Sequence, residues 1–188
     1  MRVDETKHYK EVRCNLCSRK GLISIPRIIG DVLNTNIMFV GQCPGFSPKG
    51  VPDTHIACFG YNFTCETLAK CVEGFDNLYF TNVVKCAKRD DITNEQAATC
   101  MIHFFIREIE FVNPRLVLCV GRFAQDCVTD IKHIIGNTTY SSFEIKYITH
   151  PGALKRNNAS DSEVRAYINK VRELIYQYEE KDTYSNRS

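Results

Sequence analysis

Four cysteines are placed where they could hold one metal centre. Cys14 and Cys17 form a Cys-x-x-Cys pair, a spacing that lets two thiolates bind the same metal. A tetrahedral thiolate site needs two more ligands. Cys86, just past a predicted strand, and Cys100, in the second turn of a predicted helix, are the candidates. The spacing fits zinc or an iron–sulfur cluster, and two incidental cysteines in a chain with ten are the alternative for the first pair.

Alternating strands and helices must position these cysteines. Apolar or β-branched runs predict four strands, at 36–40, 78–84, 116–120 and 143–149. Helices are predicted at about 64–73, 94–112, 122–131 and from about 161, two of them with capping boxes at Thr93 and Ser160. The order predicts an α/β fold with three layers, α/β/α, around a central four-stranded, mainly parallel sheet. Sites in such folds lie in the loops beyond the carboxyl ends of the strands.

Composition indicates an ordinary globular domain. The chain has 188 residues, 44% hydrophobic and 24% charged, with a net charge of +2. This charge excludes a strongly basic protein, so contact with nucleic acid needs a local patch. No apolar run is long enough for a membrane span, and the N-terminus lacks a signal-peptide core. We expect one domain at 1–180 with an N-terminal metal-binding segment, a polar tail at 181–188, and an intracellular monomer, cytoplasmic or nucleoid-associated.

The motifs together resemble the family 4 uracil-DNA glycosylases, the iron–sulfur branch of that superfamily. The shared features are the Cys-x-x-Cys pair, a strand leading into Gly-x-x-Pro-Gly (FVGQCPG), the TNVVKC segment and a His-Pro loop (THPGALKRN), over about residues 12–175. The resemblance implies a [4Fe-4S] cluster rather than zinc, held by Cys14, Cys17, Cys86 and Cys100. It also implies a monofunctional enzyme of base excision repair that hydrolyses the N-glycosidic bond of uracil, or of a related pyrimidine, flipped out of single- or double-stranded DNA.

The resemblance assigns roles to the residues of a base pocket. Asn82 would read the pyrimidine edge, because its amide offers both a donor and an acceptor; an asparagine that caps a turn is the alternative. His150 would donate to the base oxygen and stabilise the base anion that leaves; a histidine that orders its own loop is the alternative. Phe59 is our choice for the ring that stacks on the base, with Tyr61 and Phe63 as further candidates.

Contacts to DNA are expected from the His-Pro loop. Leu154 would enter the gap left by the flipped base, while Lys155 and Arg156 hold the flanking phosphates. Lys85 is a further candidate for the same groove, with a solvated charged face as its alternative.

The first loop departs from the family pattern. Family 4 loops usually read Gly-Glu-Ala-Pro-Gly, whereas Gly41 is followed here by Gln42 and Cys43. Backbone N–H groups of this loop could still approach the base or a phosphate, and Gln42 takes the place of the catalytic acid. Because no carboxylate positions the attacking water, a protein that is weakly active or inactive, and that binds DNA or another protein, is the alternative.

Overall fold

In the described part of the chain, five strands form one central sheet. The computed structural model describes residues 14–18, 26–44, 63–86, 91–136 and 142–185. The strands are β1 (Arg27–Ile29), β2 (Ile37–Gly41), β3 (Leu78–Asn82), β4 (Leu116–Val120) and β5 (Glu144–Ile148). Their order is β1-β3-β2-β4-β5; β1 is antiparallel to β3 and the other pairs are parallel. The predicted α/β class with a mainly parallel sheet is confirmed.

The predicted number of strands was wrong by one. The additional strand, β1, pairs Ile28 with Tyr79 at the edge of the sheet, and its side chains are exposed or half-buried. Three residues are too few for hydrophobic periodicity to reveal a strand. Pro26, directly before it, also argues against a central strand but is tolerated at an edge.

Helices cover both faces of the sheet. One face carries α1 (Phe63–Val72), α5 (Pro151–Arg156) and α6 (Asp161–Ser185), and the other carries α2 (Asn94–Cys100), a π-helical turn (Met101–Phe105), α3 (Ile106–Val112) and α4 (Arg122–Ile135). The α6 helix continues into the segment 181–188 that we expected to be a polar tail. No helix within these described ranges is both long and apolar enough to cross a bilayer.

The central strands are buried on both faces, which explains their short apolar sequences. Along β2, Ile37 and Phe39 belong to the core beneath α1 and α6, whereas Met38 and Val40 belong to the core beneath α2, α3 and α4. Successive side chains of a strand point to opposite faces, so one five-residue run contributes to two cores. The rigid sheet holds the loops at its carboxyl edge in fixed positions.

The predicted helix at 94–112 begins and ends as expected but is interrupted. The Thr93 capping box is present, with Thr93 and Gln96 exchanging side-chain-to-backbone hydrogen bonds, and Asn113 ends the helix in the left-handed conformation. Between them, the π-helical turn starts directly after Cys100. Such turns are rare inside α-helices and frequent at functional sites, and composition gives no sign of them.

Candidate active site and cysteine cluster

The ends of β2 and β3 bring the first loop beside Asn82. Gly41 and Asn82 are register partners in the parallel pair. The pairing continues past the strands, since Val83 N–H donates to the Gly41 carbonyl at 2.8 Å and Val84 N–H donates to the Gln42 carbonyl at 2.9 Å. Asn82 is only 2% exposed. The side chain of Asn82 is therefore enclosed, at the point where the first loop leaves β2.

His150 reaches the same edge of the sheet from β5. The chain passes from β3 to β4 on the other side of β2, so the sheet has a switch point between β2 and β4, where ligands of open α/β sheets bind. Gly121, directly after β4, donates its N–H to the Ile148 carbonyl at 3.0 Å. A Cβ on Gly121 would lie 3.4 Å from His150 Cβ. The histidine thus packs on the glycine at this crevice.

A hydrogen bond at Nδ1 fixes the tautomer of the His150 imidazole. Its Nδ1 accepts the Gly152 N–H at 3.0 Å, so His150 is the N-cap of α5. Burial lowers the pKa of His150 below its usual 6.5, and the Arg156 charge lowers it further. At neutral pH the ring is then uncharged, and its proton is on Nε2, because Nδ1 acts as an acceptor. The remaining nitrogen is a hydrogen-bond donor.

A tyrosine that the sequence analysis did not single out holds the residue before His150. Tyr167 of α6 donates its hydroxyl to the Thr149 carbonyl at 2.8 Å. Burial raises the pKa of Tyr167, so the hydroxyl keeps its proton. Its partner is a backbone carbonyl, which no sequence pattern identifies.

The expected His-Pro loop is a short helix. Pro151 occupies the first turn of α5 and is buried, a position where proline is favoured because its missing N–H has no intrahelical acceptor. Leu154 is half-buried in α5, while Lys155 and Arg156 are exposed. Leu154, Lys155 and Arg156 thus lie on the helix that His150 caps, and the charge of Arg156 acts on the imidazole.

The first loop is partly exposed. Gln42 is exposed, and the half-buried Cys43 packs against the core beneath α2 to α4. Phe63, one candidate for stacking on the base, is half-buried at the first residue of α1. Our first choice, Phe59, lies outside the described residues, as does Tyr61.

The four predicted ligand cysteines are neighbours. Cys14, Cys86 and Cys100 are 8%, 3% and 3% exposed, and Cys17 is half-buried. Burial raises the pKa of Cys100, a hydrogen bond from the backbone N–H of Lys85 lowers it, and the charges of Cys86, Cys17 and Cys14 raise it. All three other thiols are therefore close enough to Cys100 to interact with its charge.

A hydrogen bond holds the Cys14–Ser18 segment against α2. The Gln96 side-chain amide donates to the Ser18 hydroxyl at 2.9 Å. Gln96 belongs to the capping box at the start of α2, whose last residue is Cys100. The contact joins the Cys-x-x-Cys pair to the helix that carries the fourth cysteine.

A single metal ion and an iron–sulfur cluster make different demands on four thiols. Within the described ranges, no three or more His, Cys, Asp or Glu side chains lie close enough together to hold one ion. A zinc ion needs each sulfur at about 2.3 Å from one atom, whereas a [4Fe-4S] cluster binds each of its four thiolates through a different iron. The approach of Cys14, Cys17 and Cys86 to Cys100 is compatible with a cluster, whose four thiolates bind different irons.

Other cysteines behave as core residues. Burial raises the pKa of Cys71 to about 12, although the Arg172 charge opposes this. Burial, followed by the charges of Cys127 and Asp126, raises the pKa of Cys119 to about 12. Both thiols stay protonated at neutral pH and act as small apolar side chains.

The interpretation of Lys85 as a DNA-contacting residue was wrong. The residue is 3% exposed, and its ammonium forms a 2.6 Å ion pair with Glu108 of α3. Lysine is almost never fully buried unless it is paired, and its partner is 23 residues away in the chain. The sequence alone gave no indication of this pairing.

Comparisons with known proteins place the chain in a family. The family model of the uracil DNA glycosylase superfamily matches residues 28–172. A type-4 uracil-DNA glycosylase of Thermotoga maritima is 30% identical over 138 residues, which cover 69% of this chain and 71% of that protein. A type-4 uracil-DNA glycosylase of Archaeoglobus fulgidus is 30% identical over 97 residues, 50% of this chain and 48% of that protein, so the match spans about half of its length. This chain therefore belongs to the uracil DNA glycosylase superfamily.

Proposed function

We propose that this protein is a monofunctional DNA glycosylase of the family 4 type, which removes uracil, or a related pyrimidine, from DNA in base excision repair. One observation carries the proposal: a neutral histidine with a free donor position, His150, stands at the same edge of the sheet as the buried amide of Asn82. The names of the two relatives support the reaction class.

The chemistry follows from these two side chains. The target nucleotide leaves the stack and enters the crevice, because the glycosidic bond is inaccessible inside a duplex. Asn82 pairs with the edge of the base through its amide. As the glycosidic bond breaks, the electron pair goes to the base, and the Nε2–H of His150 stabilises the negative oxygen. Water then adds to the sugar cation and releases a proton.

Because the first loop has no carboxylate, we expect a dissociative route, in which the glycosidic bond breaks before water attacks the sugar. Gln42 can orient water by hydrogen bonding but cannot take its proton, since an amide is not a base at neutral pH. The rate then depends on how well His150 stabilises the departing base. The same substitution favours the second candidate function, a protein that binds DNA without cleaving the glycosidic bond.

A [4Fe-4S] cluster belongs to this proposal as a structural centre. Cys14, Cys17, Cys86 and Cys100 would hold it, and their thiols are neighbours around Cys100. The cluster would join the N-terminal segment, the end of β3 and α2, because metal binding contributes directly to folding free energy.

DNA contacts are proposed for α5. Leu154 would fill the space vacated by the flipped base. The exposed Lys155 and Arg156 would bind the phosphates on either side, which fixes the position of the strand without reading its sequence.

Excision from defined oligonucleotides tests the function. The cluster-loaded protein is incubated with single-stranded, U:G and U:A substrates, and abasic sites are cleaved with alkali. We expect strand breaks with the wild type, and a loss of about 100-fold or more in His150→Ala and Asn82→Ala. His133→Ala, an exposed histidine on α4, is the matched control and should cleave normally.

Two outcomes would contradict the proposal. If no strand breaks appear at enzyme excess, the glycosylase function is excluded. Tight binding of the same oligonucleotides without breaks would support the DNA-binding function instead. Normal excision by both His150→Ala and Asn82→Ala would show that the pocket lies elsewhere.

A further inference from the structure

A buried lysine lies between the candidate pocket and the cysteine cluster. The ammonium of Lys85 donates to Thr81 Oγ1 at 2.7 Å, to the Asn82 carbonyl at 2.7 Å and to Glu108 Oε2 at 2.6 Å. The Lys85 side chain is 4% exposed and that of Glu108 is 15% exposed. An ammonium group has three N–H donors, so these three acceptors account for every one of them.

Three satisfied donors fix the ammonium in one position. Lysine side chains usually retain several rotamers, and ordering one costs conformational entropy. A buried charge is tolerated when it is paired and fully hydrogen-bonded, and Lys85 meets both conditions. Glu108 lies on α3 and supplies a fixed point outside the loop. The segment from Thr81 to Lys85 is therefore tied back on itself and anchored to a helix.

The backbone of the same residue contacts the cysteine cluster. The Lys85 N–H donates to the sulfur of Cys100, and the next residue is Cys86. The side chain of Lys85 thus holds the backbone of Asn82, while its main chain holds one proposed ligand and leads directly into another. No other lysine side chain in the described part of the chain is buried in this way.

We propose that Lys85 is a positioning residue, which sets the orientation of the Asn82 amide relative to the cysteine cluster through the Asn82 carbonyl. This inference rests on the proposed role of Asn82 in reading the base. Hydrogen bonds between a base and an amide are directional. A displacement of the amide by about 1 Å would cost turnover on the order of 100-fold, as other misplaced catalytic groups do.

A double substitution separates positioning from stability. Lys85→Met alone would leave the largely enclosed Glu108 carboxylate without its cation, which is destabilising. Lys85→Met with Glu108→Met removes both charges and keeps similar volumes, a change that is often neutral for stability. The Asn82 carbonyl and the Thr81 hydroxyl then lose their shared donor. Only a positioning role predicts that activity is lost while the fold is kept.

A second lysine provides the control. Lys132 of α4 donates to the Phe143 carbonyl and lies 4.9 Å from the centre of the Phe143 ring, much as Lys85 donates to a carbonyl and lies 5.5 Å from the Phe105 ring. Phe143 precedes β5, at the opposite end of that strand from His150. Lys132→Met should leave excision unchanged.

The measurements are the visible absorbance of the cluster, the melting temperature, kcat and KM on a single-stranded uracil oligonucleotide, and crystal structures. We expect the double variant to keep its absorbance and fold, with kcat reduced about 10- to 100-fold and KM little changed. In the crystal, the Asn82 amide should be displaced or occupy more than one orientation. A wild-type kcat, or an Asn82 amide in its wild-type position, would overturn the inference.

The structural readout separates this inference from the proposed function. If the wild type excises nothing, the glycosylase proposal fails, yet the position of Asn82 in the two crystal structures still decides the role of Lys85. If the double variant does not fold, Lys85→Gln with Glu108→Gln replaces it, because this pair carries no charge and a glutamine amide has two N–H donors for three acceptors. Its rate, normalised to cluster absorbance, should fall in the same way, and an unchanged rate would count against the role.

Discussion

At the scale of single residues, the protonation state of His150 decides what the site can do. A charged imidazole would donate from both nitrogens and could not accept the Gly152 N–H at Nδ1. The neutral form keeps that bond and leaves Nε2–H available as a hydrogen-bond donor. Burial and the Arg156 charge both favour the neutral form, so local structure and chemistry require the same state.

The pH dependence of His150 follows from this environment. Because its pKa in the folded protein lies below 6.5, we expect excision to stay level down to pH 6.5 and to fall only at lower pH. Between the folded pKa and 6.5 the unfolded chain binds more protons, so stability also falls as pH decreases through that window. An NMR titration of His150 gives the midpoint directly.

Arg156→Gln provides the matched variant for that titration. Removing the cation should raise the midpoint, but the midpoint should stay below 6.5, because burial is the larger cause. A wild-type midpoint at or above 6.5, or a midpoint that does not move in the variant, would contradict the account.

At the scale of elements, α5 determines where the imidazole of His150 lies. This helix has only six residues, and its first turn places Gly152 against the imidazole. A Cβ on Gly152 would lie 3.0 Å from His150 Nδ1 and 3.2 Å from Cε1, closer than ordinary van der Waals contact. The glycine is needed for this close approach, and its backbone is not in the left-handed region.

Two glycine substitutions should therefore change different properties, one the rate of excision and the other the stability of the fold. Gly152→Ala should push the imidazole away and lower kcat by roughly tenfold, with little change in melting temperature. Gly74→Ala has open space around the new Cβ but a φ of +82°, so it should cost about 1–2 kcal/mol of stability without slowing excision. The checks are kcat and thermal melts on both variants, and equal kcat in both would show that α5 does not control the imidazole.

At the scale of the whole molecule, the cysteines join segments that are far apart in the chain. Cys14 precedes the sheet, Cys86 follows β3, and Cys100 ends α2. A bound cluster would close these long loops, which constrains the unfolded chain, and would add folding free energy. The proposed base pocket would lie next to this junction, since Asn82 and Cys86 belong to one short segment.

Loss of one ligand should thus affect colour and stability together. Cys14→Ser should remove the broad visible absorbance of the cluster and lower the melting temperature, because the metal contributes to folding. Cys71→Ala is the control: this thiol is buried, and its pKa is raised to about 12, so the variant should lose stability but keep its colour. A colourless wild-type protein that binds zinc would refute the cluster.

The sequence by itself determined the class of fold and suggested most of the chemical groups of the candidate site. Apolar runs and capping boxes gave the parallel strands and the main helices, because these signals are local. The order of the motifs indicated Asn82, His150 and the four cysteines. The sequence analysis missed β1 and α5, each only a few residues long, since short elements are stabilised by their neighbours rather than by their own periodicity.

The tertiary structure alone decided how these groups are held. Lys85 resembles a surface lysine in the sequence, yet Glu108 and the end of β3 surround it and make it an internal anchor. The tautomer of His150 depends on a helix that begins after it, and its pKa depends on burial and on Arg156. Protonation and side-chain orientation are set by distances between groups that are remote in the chain, which local sequence patterns do not specify.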